Sequence, residues 1–149
     1  MLRFPCFVFA TVFLSACVTS DDPAGPEQLD VSGVWTATMD GTVIHGEDGT
    51  GQTTSFTLTL VQSDTEVTGS EAFTDTMGRS GSSAVSGTLV GDSFSYSIGD
   101  FDQQCEGRIF SGTATVNTTT PGSTMSISFS ASATSICPAT SGTLTYTKQ

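Results

Sequence analysis

Residues 124–131 read Thr-Met-Ser-Ile-Ser-Phe-Ser-Ala, with a hydroxyl at every even position and an apolar side chain at every odd one. Successive side chains of an extended chain point to opposite faces, so Met125, Ile127, Phe129 and Ala131 form a dry face and Thr124, Ser126, Ser128 and Ser130 a wet one. The stretches Ser-Phe-Thr-Leu-Thr-Leu (55–60) and Ser-Phe-Ser-Tyr-Ser-Ile (93–98) repeat the pattern. Such segments are antiparallel strands half buried against a core. Five further runs fit it less strictly, at 33–39, 66–73, 83–90, 107–116 and 141–147. The sum is eight strands and no helix, in keeping with the scarcity of Arg, Lys and Glu.

A glycine flanked by Ser or Thr recurs within the runs, at Gly69, Gly87, Gly112 and Gly142, and parity places each on the apolar face. Interior glycines let coiled strands bend and leave room for large side chains opposite. The expected fold is all-β, an eight-stranded antiparallel up-and-down barrel; a two-sheet β-sandwich is the alternative. Trp35, Phe56, Phe73, Phe94, Tyr96, Phe110, Phe129 and Tyr146 are the candidates for its interior and for contact with any ligand.

In a meander, successive connections alternate between two ends. The odd connections are long, at about 40–53, 74–81, 99–106 and 133–140, whereas Ser63-Asp64 and Gly91-Asp92 look like two-residue turns and 117–122 is a modest loop. One end should therefore be tight and the other rimmed by four longer loops, where a site is expected.

Gly33-Val34-Trp35 opens the first strand at the tight end and resembles the G-x-W signature of the lipocalins, whose tryptophan plugs the closed end of an eight-stranded barrel. Avidins share that architecture and also open with a tryptophan-bearing strand. The chain departs from the lipocalins in having no T-D-Y motif, no C-terminal helix and no arginine in the last strand, where Lys148 is the substitute cation for the ring. The resemblance implies a non-catalytic module holding a small apolar ligand. The alternative is a packed structural or protein-interaction barrel without a cavity, because an eight-stranded interior holds little beyond side chains.

Met1 to Arg3 form a short positive start and Phe4 to Leu14 an apolar segment of signal-peptide length. Leu14-Ser15-Ala16-Cys17 resembles the lipobox of bacterial lipoproteins. That resemblance implies a signal peptide over 1–16, a diacylated Cys17 as the new N-terminus, and a membrane partner reached through the lipid anchor. Val18 stands where an Asp would retain an enterobacterial lipoprotein in the inner membrane, so the outer membrane is the expected address within the cell envelope. Residues 17–30, rich in Asp, Pro and Gly, read as the lipidated cysteine and a flexible tether, and 31–149 as the barrel domain. With Cys6 removed and Cys17 acylated, Cys105 and Cys137 remain. Both fall at the looped end, where a disulfide between them is expected. Zinc is the other use of two cysteines, but only His45 could add a nitrogen.

Fifteen Asp plus Glu against four Lys plus Arg give a net charge of −11, which repels phosphate backbones and excludes nucleic acid as a partner. No cofactor motif is present. His45, in His-Gly-Glu-Asp-Gly-Thr-Gly, has no recognisable nucleophile or partner beside it, so no enzyme is expected. Glu47, Asp48, Asp75, Asp100, Asp102 and Glu106 would gather at the looped end, where calcium could meet them, but without EF-hand spacing. Arg79 is expected to be solvated.

Overall fold

The computed structural model describes residues 29–40, 53–101, 105, 107–118 and 122–149. Its eight strands are β1 (Gly33–Asp40), β2 (Thr53–Ser63), β3 (Glu66–Asp75), β4 (Ser80–Val90), β5 (Ser93–Gly99), β6 (Ile109–Asn117), β7 (Thr124–Ala131) and β8 (Thr140–Lys148). Each pairs antiparallel with the next, and β8 returns to β1, closing an up-and-down barrel rather than a sandwich. The alternation sets the sidedness: Phe56, Leu58 and Leu60 are buried while Ser55, Thr57 and Thr59 are exposed. Apolar inside and hydroxyl outside is the reverse of a barrel that spans lipid, whose outer band is apolar.

Curvature falls on the inward glycines. A Cβ at Gly69 would stand 1.9 Å from the Thr59 carbonyl oxygen, one at Gly87 2.0 Å from that of Ser95, and one at Gly112 1.8 Å from that of Ser128. No side chain tolerates such approaches, so these strands bend tightly over their neighbours only as glycine. Aromatic rings use the space left free. Phe129 lies opposite Gly112 on one side and Gly142 on the other, and a Cβ on Gly142 would meet its ring at 2.7 Å. Phe73 lies in the same way over Gly81, and Tyr96 is flanked by Gly87 and Gly112.

The tight end is plugged. Trp35, Val31, Val67, Leu89, Phe94 and Met125 are fully buried there. The Trp35 indole N–H donates to the Val31 carbonyl at 2.9 Å, and Lys148 Nζ sits 5.4 Å from the ring centroid, the role anticipated for that residue. Gln62 staples the entering chain across this end: its amide nitrogen donates to the Leu29 carbonyl and its amide oxygen accepts from the Val31 N–H.

Two turns differ from expectation. The first hairpin is built on Asp64-Thr65 rather than Ser63-Asp64, because Ser63 still pairs with Glu66 and Asp64 takes the left-handed turn conformation, which Asp tolerates (φ 58°). The 74–81 connection shrinks to Thr76–Arg79. Asp75 continues the inward face, and its carboxylate accepts from the Met77 and Arg79 N–H groups and from Arg79 Nε at 2.5 Å, drawing the loop into a tight turn. Arg79 is thus an ion-pair partner instead of a solvated cation.

Replacing Gly112 by Ala should lower stability by roughly 2 kcal/mol or more, since strand separation is the only relief. Thr113→Ala next to it, facing water, should change it by less than about 1 kcal/mol. Urea unfolding followed by circular dichroism compares the two; equal costs would mean that the close approach at Gly112 carries no constraint.

Candidate functional site

Above the plug the barrel holds a cavity of about 860 Å³. Phe56, Phe94, Tyr96, Phe110, Phe129 and Tyr146 line it, six of the eight aromatics picked out from the sequence. The other two lie elsewhere. Trp35 belongs to the plug, and Phe73 packs on Gly81 and, edge-on at 5.2 Å, on Phe101. Two of these rings rest against glycines in the wall, Phe94 on Gly87 and Phe129 on Gly142. Phe110 and Phe129 stand edge to face at 5.9 Å, and Phe94 and Tyr96 are 6.0 Å apart. The interior is therefore no plug of side chains throughout, as the packed alternative required.

The mouth lies at the looped end, bounded by Asp100, Phe101, Cys105 and Arg108 on one side and Ile136, Cys137, Pro138 and Ala139 on the other. Cys105 and Cys137 are joined by a disulfide across it, with Cα atoms 6.0 Å apart. By chain entropy a closed loop of this size contributes roughly 3–4 kcal/mol. Arg108 fastens the same two segments. Its Nε bonds Asp100 at 2.5 Å, its Nη1 donates to the Pro138 carbonyl at 2.5 Å, and its guanidinium lies 5.1 Å from the Phe110 ring centroid. Nothing in the sequence singled out Arg108, because its partners lie 8 and 30 residues away.

Of the acidic residues expected at this end, Asp75 and Asp100 are each bonded to an arginine. Desolvation raises the Asp75 pKa, but the hydrogen bonds from Arg79 and Met77 outweigh it and hold the carboxyl below its usual range. Among the described residues no three metal-ligating side chains gather. His45, Glu47, Asp48, Asp102 and Glu106 lie outside the described residues, as does Cys17.

One polar group inside the cavity escaped the sequence reading. Glu71 follows Val67 and Gly69 on the inward face of β3, and its carboxyl is buried, accepting a hydrogen bond from the Tyr146 hydroxyl. Burial raises its pKa to about 7, against a smaller opposite effect of the Tyr146 bond. The phenols of Tyr146 and Tyr96 are pushed above their usual range, by burial first and then by the Glu71 charge. Parity was the available signal: in Glu-Val-Thr-Gly-Ser-Glu-Ala-Phe, Glu71 is in phase with Val67 and Phe73.

Comparison of the chain with protein-family models, with curated proteins and with solved structures finds no match.

The Glu71 carboxyl is raised from 4.5 to about 7 on folding, so between those values the native state binds more protons than the unfolded chain. Its contribution is complete below pH 4.5 and lost as pH rises through 7, a fall of about 3 kcal/mol. Asp75 and Asp30 are shifted the other way, so their contributions are lost only in acid, below that window. Melting curves from pH 4.5 to 8 should thus show stability declining in the parent chain and a flatter profile in Glu71→Gln; parallel profiles would place the titration elsewhere.

Proposed function

We propose that the protein is an envelope lipoprotein whose barrel is a non-catalytic, lipocalin-like module for one small, largely apolar ligand. The cavity carries this reading. Its volume of about 860 Å³ lies within the range of small-molecule sites, and its walls are mainly aromatic and aliphatic. A mouth fastened by the disulfide and by Arg108 holds that shape in advance, which reduces the ordering cost of binding.

The envelope part of the reading rests on Leu14-Ser15-Ala16-Cys17 after an apolar segment, and a disulfide fits a compartment outside the cytoplasm. The outer membrane is the favoured address because Val18, not Asp, follows Cys17. The proposal assigns no cofactor and no catalytic residue.

Native mass spectrometry of the protein released from its membrane should show a bound small molecule. Ile127→Trp, which places a larger ring in the cavity, should lose it. A parent protein that carries nothing and also takes up no apolar probe would remove the container reading. The anchor has its own check: cells fed radiolabelled palmitate should label the protein, and Cys17→Ala should abolish the label.

A further inference from the structure

Beyond the Arg108–Asp100 pair at its mouth, the cavity holds one acid that has no cation among the described residues. Glu71 is nine-tenths buried and its carboxyl meets only the Tyr146 hydroxyl, with the Tyr96 phenol nearby. Its neighbours across the ladder, Leu58 on β2 and Ser83 on β4, carry no charge. All three basic side chains among the described residues are engaged elsewhere: Arg79 with Asp75, Arg108 with Asp100 and Pro138, and Lys148 with the Trp35 ring and the Asp30 carbonyl. A buried carboxyl with no cation is costly to keep unless something else uses it. Opposite a single acid inside an aromatic-lined space, the complementary ligand is an apolar body bearing one ammonium. Aromatic faces favour such a group, and a protein of net charge −11 attracts cations.

We propose that the cavity selects amines: an aromatic or aliphatic ligand whose protonated amino group bonds Glu71, with Tyr146 holding the carboxylate in place and the aromatic walls enclosing the rest. This rests on the container reading above and names the ligand class within it. Tyr146 already occupies one carboxylate oxygen and leaves the other for the ligand. The charged groups sharing the cavity, Arg108 and Asp100, neutralise one another at the mouth, and Tyr96 and Tyr146 remain protonated at neutral pH. The Glu71 carboxyl is the group that burial brings to about 7.

Three probes of one shape test this, using the full chain in lipid nanodiscs with empty nanodiscs as the blank: tryptamine, its alcohol tryptophol, and the anion indole-3-acetate. Calorimetry at pH 8 and physiological salt should find tryptamine bound at least about tenfold more tightly than tryptophol, the size of one charge-assisted hydrogen bond. Indole-3-acetate should bind most weakly. In Glu71→Gln the amine should fall to the level of the alcohol while the alcohol is unchanged. In the parent chain, which needs no variant to fold, the amine's advantage should shrink from pH 8 to 5.5 as Glu71 takes up its proton. Equal binding of all three probes overturns amine selection and leaves the container standing. A preference that survives Glu71→Gln overturns it too, tracing the effect to the overall acidic charge. Binding of none of the probes removes the container and this inference together.

Discussion

Closing eight strands on themselves forces the inner face of the sheet to be crowded, and this protein meets that constraint by removing side chains rather than shrinking them. At Gly69, Gly87 and Gly112 the neighbouring strand's carbonyl occupies the place of a Cβ, so the bend and the absent side chain are one requirement. Glycines also give rings a surface to lie against, Gly87 for Phe94 and Gly142 for Phe129. Rings held to the wall leave the axis open. Curvature, aromatic packing and the cavity therefore have a common cause in the placement of small inward residues.

That cause also governs the site's electrostatics. A carboxyl buried among aromatic rings is driven toward its neutral form, and the Tyr146 hydroxyl offsets only part of that cost. Asp75, also buried, has the opposite fate because Arg79 and two backbone N–H groups converge on it. Two acids of one strand, four residues apart, thus differ in charge preference because one has a cation and the other has a phenol. The first closes a turn. The second lies buried inside the cavity against Tyr146.

Local pattern carried most of the fold. Strict alternation in 55–60, 93–98 and 124–131 fixes which residues face inward, and Ser-Gly-Thr repeats in phase with it announce closure. The meander put Cys105 and Cys137 at one end, and the lipocalin resemblance pointed to Lys148 as the cation over Trp35; both contacts are present. Alternation gives the side a residue faces but not how much of the interior it fills, so the hollow between plug and mouth was not legible. Arg108 and Gln62 were missed for a different reason: each acts through contacts made across the fold, with no local motif. Glu71 was legible by parity, in phase with Val67 and Phe73, but nothing local shows that its carboxyl is buried.

The position of the chain's entry constrains how such a chamber could be used. The chain reaches the barrel at the plugged end, where Gln62 and Lys148 hold residues 29–31, and the mouth lies at the other. Eleven residues separate Cys17 from Leu29, and fully extended they reach at most roughly 40 Å. An acylated Cys17 would therefore attach the barrel through its closed end and leave the mouth free to face the aqueous compartment. A ligand would then enter from water, not from lipid, and for that route a charged amine has an advantage over a neutral hydrocarbon. It stays dissolved until an ion pair inside the barrel replaces its hydration, whereas a neutral apolar molecule would partition into the membrane behind the plug.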